Sequence, residues 1–136
     1  MESHEQQDRA MGNRVLVVDD NHDIVSIVES WLKANDYEVY TAYSGEEGLA
    51  KSKLLKPDAV VLDIMMPDID GSSVAAEMKE DPGTNHIPII FLTGAVRSTE
   101  LPRNNIVGGQ YFLAKPFNGV DLLKMLRLVI YGNMKY

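Results

Sequence analysis

The sequence predicts an α/β protein, a three-layer sandwich in which about five helices cover both faces of a five-stranded parallel sheet. The first observation is that short apolar runs alternate along the chain with segments of helical period, as in strand–helix units around a parallel sheet. The second is that the apolar runs are nearly continuous, which is typical of strands buried on both faces. Right-handed crossovers between such strands place the helices in two layers.

Five apolar runs predict the strands. In chain order they are Arg14–Asp19, Glu38–Ala42, Asp58–Leu62, Pro88–Leu92 and Gln110–Leu113. The first, RVLVVD, illustrates the pattern, because its middle is uniformly apolar and an acidic residue ends it.

Apolar residues at helical spacing, together with capping residues, predict the helices. The first helix follows Asn21, a good N-cap residue, and its apolar stripe runs from Ile24 to Leu32. Ser44 and Glu47 have the spacing of a capping box that opens the second helix. The second helix is predicted to end before Pro57 and the third at Asp81 to Gly83. The last helix is predicted to start near Asn118, with Gly132 as a candidate C-cap.

The segment Val96–Val107 predicts no element clearly. Pro102 cannot lie inside a helix without the loss of a backbone hydrogen bond. We therefore expect either a short helix that begins near Pro102 or an irregular turn.

Composition limits the classes of function. The chain has 136 residues, no cysteine and a formal net charge of −7, which allows one domain and excludes disulfides, thiol catalysis and cysteine-ligated metals. The acidic balance disfavours direct binding of nucleic acid and suits cations. No apolar run reaches the roughly 18 residues of a membrane span, and the polar residues 1–10 lack the apolar core of a secretory signal. We expect a cytoplasmic protein with a polar, mobile extension at residues 1–12 and one domain at residues 13–136.

Polar residues gather where the predicted strands end. Asp19 and Asp20 end the first strand, Asp63 ends the third, Thr93 follows the fourth, and Lys115 follows the fifth. Ligands bind at the carboxyl ends of strands in an open parallel sheet. We therefore expect three carboxylates, a hydroxyl and an ammonium group to meet at one edge.

Electrostatics restricts what such a site can do. Two carboxylates about 4 Å apart repel by roughly 4 kcal/mol at an effective dielectric constant near 20, so three of them need a cation or must take up protons. Oxygen ligands and few carboxylates suit Mg²⁺ or Mn²⁺. Asp63 is placed to act as an oxygen nucleophile, as in aspartyl-phosphate chemistry. Lys115 and Thr93 could then hold the oxygens of a transferred phosphoryl group.

Four ordered motifs resemble those of response regulator receiver domains in two-component signalling. They are the acidic pair Asp19-Asp20, the run DIMMPDIDG from Asp63 to Gly71, Leu92-Thr93-Gly94, and Lys115-Pro116-Phe117. The resemblance covers about residues 13–131. It implies a flavodoxin-like fold with strand order 2-1-3-4-5, and a signalling switch that catalyses only its own phosphoryl transfer and slow autodephosphorylation.

The resemblance also implies the role of each site residue. Asp63 would accept a phosphoryl group from a histidine kinase or a histidine phosphotransfer protein. Asp20, Asp63 and the backbone carbonyl of Met65 would ligate Mg²⁺, and Asp19 would contribute mainly through bound water. Thr93 and Phe112 would form the conformational switch, with Lys115 placed by a cis bond to Pro116.

Several positions depart from the pattern of the family or leave two interpretations open. Phe112 lacks the hydroxyl of the tyrosine that is common at the switch position. Met65 and Ala95 cannot hydrogen-bond an attacking water, which predicts slow autodephosphorylation.

Met125 and Leu128 on the last helix are either an exposed contact patch, through which a homodimer could form, or part of a wide core-facing stripe.

Alternative functions stay open at this point. The chain could be a receiver excised from a larger regulator or hybrid kinase, or a receiver-fold module that binds partners without switching. A flavin-binding protein is disfavoured because Asp19 and Asp20 would repel the flavin phosphate. An aspartate-nucleophile phosphatase would need its nucleophile after the first strand and a substrate cap, and no segment is long enough to form one. The kinase and the downstream protein cannot be named from the sequence.

Overall fold

A computed structural model describes residues 12–94, 100–102, 105–107 and 109–132. The elements in chain order are β1 (Arg14–Val18), α1 (His22–Lys33), β2 (Glu38–Ala42), α2 (Gly45–Leu55), β3 (Ala59–Asp63), α3 (Gly71–Glu80), β4 (Ile89–Thr93), β5 (Ile106–Val107), β6 (Gln110–Ala114) and α4 (Gly119–Tyr131). The predicted extension at residues 1–12 lies, apart from Gly12, outside the described residues.

The strands form one sheet in the order β2-β1-β3-β4-β6-β5. The neighbouring pairs from β2 to β6 are parallel, and β5 pairs antiparallel with β6 at the edge. The predicted order 2-1-3-4-5 is therefore confirmed, with β6 in the place of the fifth strand. The added edge strand makes the sheet six-stranded.

Two apolar clusters fill the space on either side of the sheet. One cluster joins β1 residues such as Val15 and Val17 to α1 and α4, and the other joins Leu16 and Val18 to α2 and α3. This alternation follows from the period of two along a strand. Every residue of β3 and β4 is buried, as expected for central strands covered by helices on both faces.

The predicted starts of three helices are confirmed, and a side chain caps each of them. The side chain of Asn21 accepts hydrogen bonds from the N–H groups of Asp23 and Ile24 at the start of α1. Asn118 caps α4 by accepting from the N–H of Asp121, at 2.8 Å. At the start of α2, the Ser44 hydroxyl accepts from the Glu47 N–H at 3.1 Å, which satisfies a donor that has no partner within the helix.

The uncertain segment before β6 contains a strand where a helix was one of two expectations. Asn105 lies in the left-handed region at φ 62° and donates its N–H to the Pro102 carbonyl at 2.9 Å. Ile106 and Val107 then pair with β6. A helix running on from Pro102 is therefore wrong at Ile106 and Val107. The hydrogen bond between Asn105 and Pro102 agrees with the other expectation, a turn. Residues 95–99, 103, 104 and 108 lie outside the description, and the part of the chain that is described has four helices rather than five.

On the last helix, α4, Met125 does not form part of an exposed patch. Met125 is buried within the cluster of α1 and α4, whereas Leu128 is 48% exposed. Of the two alternatives left open for Met125, the wide core-facing stripe is therefore correct. No α-helix among the described residues has the length and apolar character needed to cross a membrane.

The packing predicts how strongly single leucines contribute to stability. Leu16 is fully buried, whereas Leu54 is 79% exposed. We expect Leu16→Ala to lower the free energy of unfolding by about 2–5 kcal/mol, through lost burial and the cavity that remains. The matched control Leu54→Ala should change it by less than about 0.5 kcal/mol. Urea unfolding followed by circular dichroism measures both, and equal effects would contradict this description of the core.

Candidate functional site

Four neighbouring strands each end at a residue that the sequence singled out. Asp19 follows β1, Asp63 is the last residue of β3, Thr93 is the last residue of β4, and Lys115 follows β6. Because these strands are parallel and adjacent, their carboxyl ends lie at one edge of the sheet. The prediction that these residues meet at one edge is confirmed.

The Lys115 ammonium group lies between two of the carboxylates. Its Nζ is 3.0 Å from Asp19 Oδ2 and 3.4 Å from Asp63 Oδ1. The Lys115 backbone N–H donates to the Thr93 carbonyl at 2.7 Å, so the backbone directly after β6 is held against the end of β4. The bond between Lys115 and Pro116 is cis, as the resemblance implied.

Three carboxylates form a cluster suited to a divalent cation. Asp19, Asp20 and Asp63 each offer an oxygen, and these oxygens lie within 4.8 Å of one another. Asp19 is fully buried, Asp63 is nearly so, and Asp20 is exposed. Carboxylate oxygens with one open side are the donor set that Mg²⁺ prefers, because it keeps several water ligands.

The hydrogen bonding of Asp19 supports this fit. Its Oδ1 accepts from the Asn21 N–H at 3.0 Å. Its buried Oδ2 accepts no hydrogen bond of normal geometry among the described residues, so the Lys115 ammonium compensates it through charge. Because the negative charge of this buried oxygen is only partly compensated, the electrostatic potential at this edge of the sheet stays negative.

Burial and the neighbouring charges set the protonation of the site. Burial and the negative charge of Asp19 raise the pKa of Asp63, and Lys115 offsets part of this rise. Burial alone would lower the pKa of Lys115, but the close ion pair with Asp19, together with the charge of Asp63, outweighs burial and raises the pKa. The ammonium group is therefore charged at neutral pH, while the surroundings of Asp63 oppose the charge of its carboxylate.

The loop after Asp63, residues 64–70, is held close to the end of β3. The Ile64 N–H donates to the Leu92 carbonyl at 3.1 Å, and the Gly71 N–H donates to the Ile64 carbonyl at 2.7 Å. A Cβ at position 71 would lie 2.4 Å from the Asp63 carbonyl oxygen. Only glycine fits this approach. Met65, whose carbonyl was predicted to ligate the metal, is 69% exposed.

Asp68 is a residue of this loop whose role the sequence reasoning missed. Its two carboxylate oxygens accept from the N–H groups of Gly45 and Glu46, at 3.0 and 2.9 Å. The hydrogen bonds from Glu46, Gly45 and Ile69 hold the pKa of Asp68 at about 2. The partners are more than 20 residues away along the chain, so no local pattern could have revealed the contact.

The two predicted switch residues lie on the same side of the sheet. Thr93 is buried at the end of β4. Phe112 is half-buried and stacks on Phe91, with ring centroids 5.3 Å apart and an interplanar angle of 24°. Phe91 and Phe112 belong to the cluster of α2 and α3, and Thr93, two residues after Phe91, points to the same face. Ala95, the second residue predicted to slow autodephosphorylation, lies outside the described residues.

Comparison with known proteins identifies the family. The family model of the response regulator receiver domain matches residues 15–127, and the chain belongs to this family. Receiver domains are the signalling switches of two-component systems; they pair with histidine kinases or phosphotransfer proteins and bind Mg²⁺ at an acidic pocket. The family assignment and the flavodoxin-like fold expected from the sequence are both confirmed.

Three similar proteins illustrate the range of the family. Response regulator PleD of Caulobacter vibrioides is 38% identical over 117 residues, which are 86% of this chain but 26% of PleD. Protein PilH of Pseudomonas aeruginosa is 30% identical over 119 residues, which are 88% of this chain and 98% of PilH. The receiver domain of the sensor histidine kinase PA1611 from Pseudomonas aeruginosa, solved with a magnesium ion in its active-site cleft, is 27% identical, with a TM-score of 0.75 over 88% of this chain and 98% of that domain. The chain therefore spans about a quarter of PleD but nearly the whole of PilH.

The raised pKa of Asp63 makes a prediction about stability and pH. A carboxyl group whose pKa is raised on folding, here above the ordinary value of 3.8, contributes stability at low pH that is lost as the pH rises through the folded value. We expect Asp63→Asn to raise the melting temperature of the metal-free protein at pH 7, because it removes a buried charge next to Asp19. The difference should shrink at acidic pH, where the native carboxyl is also neutral.

Thermal unfolding in EDTA at a series of pH values measures this effect. Asp36→Asn is the matched control, because Asp36 is exposed and its left-handed conformation suits asparagine. A lower melting temperature for Asp63→Asn at pH 7 would contradict the electrostatic description.

Proposed function

We propose that this chain is a phosphorylation switch in which Asp63 accepts a phosphoryl group from the phosphohistidine of a histidine kinase or a histidine phosphotransfer protein. The observation that carries the proposal is the position of the Asp63 carboxylate, which lies within a carboxylate cluster and 3.4 Å from the Lys115 ammonium group. A carboxylate at the end of a central strand is a rigidly held nucleophile. The membership of the family supports the same reaction.

The transfer requires one bond to form as another breaks. An Asp63 carboxylate oxygen attacks the phosphorus in line, while the bond from phosphorus to the histidine nitrogen breaks and its electron pair returns to the imidazole, which takes a proton from solvent. Negative charge on the equatorial oxygens of the phosphoryl group must be stabilised during this step. The Lys115 ammonium and the Thr93 hydroxyl are the groups of this chain that would hold those oxygens.

Asp20, Asp63 and the carbonyl of Met65 would hold the Mg²⁺ ion, with Asp19 acting mainly through water. The ion pair of Asp19 with Lys115 supports the indirect role of Asp19, because one of its oxygens is already engaged at 3.0 Å. Mn²⁺ has the same preference for oxygen ligands and would also suit the site. When bound, the cation supplies positive charge that offsets the carboxylates and the incoming phosphoryl oxygens.

Thr93 and Phe112 would convert phosphorylation into a changed surface. A phosphoryl group on Asp63 adds oxygens that can accept a hydrogen bond from the Thr93 hydroxyl, and drawing this side chain inward alters the packing around Phe91 and Phe112. Half-burial of Phe112 supports a side chain that can occupy two positions. Because it lacks a hydroxyl group, a partner would recognise it by apolar contact.

The remaining proposals concern the whole protein. We propose residues 13–136 as the receiver domain, acting in the cytoplasm without direct contact with nucleic acid and without enzymatic activity beyond its own phosphoryl transfer and autodephosphorylation. The receiver assignment is supported by matches both to nearly the whole of PilH and to about a quarter of PleD. A homodimer through α4 would now depend on Leu128.

Phosphorylation by acetyl phosphate tests the proposed function. We expect intact-mass spectrometry to detect one phosphoryl group on the parent protein in the presence of Mg²⁺, and none on Asp63→Asn or after EDTA. Asp36→Asn should be modified like the parent. Lys115→Ala should slow the reaction by about 100-fold, the usual cost of removing one group that stabilises developing negative charge. An unmodified parent, or phosphate retained by Asp63→Asn, would instead favour a receiver-fold module that binds without switching.

The residue two positions after Asp63 makes a prediction about the lifetime of the phosphorylated form. A methionine side chain cannot orient an attacking water by hydrogen bonding, so we expect slow autodephosphorylation. Met65→Asn, which introduces a hydrogen-bonding group at this exposed position, should accelerate it. Loss of phosphate followed by intact mass after removal of acetyl phosphate measures both rates. Loss from the parent within seconds would refute the prediction.

A further inference from the structure

We propose that Asp68 is a positioning residue, which holds the loop of residues 64–70 on the first turn of α2 and thereby keeps the Met65 carbonyl in place for the metal. This inference rests on the proposed function, because it assigns a role in the same Mg²⁺ site. It concerns a residue that is not itself a ligand.

The contact has two hydrogen bonds and joins distant parts of the chain. Asp68 Oδ1 accepts from the Gly45 N–H at 3.0 Å, and Oδ2 accepts from the Glu46 N–H at 2.9 Å. Hydrogen bonds from N–H groups to a carboxylate are stronger than those between neutral groups, and the first turn of a helix favours a negative charge. The low pKa of Asp68 keeps this carboxylate ionised at neutral pH.

Close packing beneath these hydrogen bonds fixes the distance between the loop and α2. A Cβ at Gly45 would lie 2.5 Å from the Ile69 carbonyl oxygen, so the backbone of the loop lies directly on the start of the helix. Ile69 packs against the apolar cluster of α2 and α3. The end of the loop near α3 is held separately, because Asp70 caps α3 by accepting from the Ser73 N–H at 2.9 Å.

The same helix also contacts the strand that carries the other metal ligands. A Cβ at Gly48 would lie 2.8 Å from a Val18 methyl group, and Val18 directly precedes Asp19 and Asp20. The Asp19 N–H donates to the Ala42 carbonyl, at 3.1 Å, where β2 ends before α2. The start of α2 is therefore a common support for the two segments that supply the ligands, and Asp68 is the side chain that joins the second segment to it.

Loss of this contact should weaken metal binding without unfolding the protein. Substitution of groups that orient metal ligands costs about 10–100-fold in metal affinity. Because Asp68 is exposed at the surface, Asp68→Ala should raise the dissociation constant for Mg²⁺ by about 10-fold and leave the melting temperature of the metal-free protein close to that of the parent. Asp68→Asn retains one acceptor oxygen and should give an intermediate affinity.

Isothermal titration of the full chain with MgCl₂ measures these affinities. Glu46→Ala is the control for charge, because it removes a carboxylate at the same place and leaves the Glu46 N–H in the backbone; it should bind Mg²⁺ like the parent. Hydrogen exchange of the amides at residues 64–69 should accelerate in Asp68→Ala alone. At saturating Mg²⁺, Asp68→Ala should regain the phosphorylation rate of the parent with acetyl phosphate.

Three results would overturn the inference, and they differ in what they mean for the proposed function. If the parent binds Mg²⁺ and Asp68→Ala binds it equally well, Asp68 has no positioning role while the proposed function stands. A lower melting temperature with unchanged Mg²⁺ affinity would lead to the same conclusion, because it shows a purely structural contact. If the parent itself binds no Mg²⁺, the proposed function fails together with this inference.

Discussion

The site depends on one ammonium group that faces more negative charge than it can compensate. Lys115 lies within 3.4 Å of carboxylate oxygens of both Asp19 and Asp63, and Asp20 completes the cluster. Two carboxylates about 4 Å apart repel each other by roughly 4 kcal/mol at an effective dielectric constant near 20. A cation at this edge of the sheet would therefore reduce the repulsion between the carboxylates. Burial and the charge of Asp19 also raise the pKa of Asp63. The proposed affinity for a divalent ion would follow from this imbalance.

The sheet keeps the crowded charges from moving apart. At three strand ends the backbone hydrogen bonding continues into the residue that follows the strand: from Asp19 to Ala42, from Ile64 to Leu92, and from Lys115 to Thr93. Asp19, Asp63 and Lys115 therefore project from backbone that is held by a neighbouring strand, and moving them apart would require breaking the edge of the sheet. This is the physical reason that a site of this kind lies on strand ends, where the positions of its groups are precise, rather than within a free loop.

How much could be predicted from the sequence depends on how far apart along the chain the interacting residues lie. Continuous apolar runs gave the central strands, and local capping at Asn21, Ser44 and Asn118 gave three helix starts. The juxtaposition of Asp63 and Lys115 followed from the rule that parallel strands share a carboxyl edge. The contact of Asp68 with α2 could not be predicted, because its partners are distant in sequence. Two alternatives stayed open for Met125 because α4 is apolar on several sides, and the side that faces the core is fixed only when the helix packs on the sheet.

The hydrogen bonds beside the added strand β5 restrict how a change at the site could reach the surface. The Phe112 N–H donates to the Asn105 carbonyl at 2.9 Å, and the Asn105 side-chain amide donates to the Phe112 carbonyl at 3.0 Å. Both backbone groups of Phe112 are thus engaged by Asn105, so its backbone resists displacement. The freedom that remains is rotation of the Phe112 ring against Phe91, which shares a face of the sheet with Thr93. A signal that begins at Thr93 would therefore leave this edge as a change in side-chain packing on the face of α2 and α3, and not as a shift of the strand.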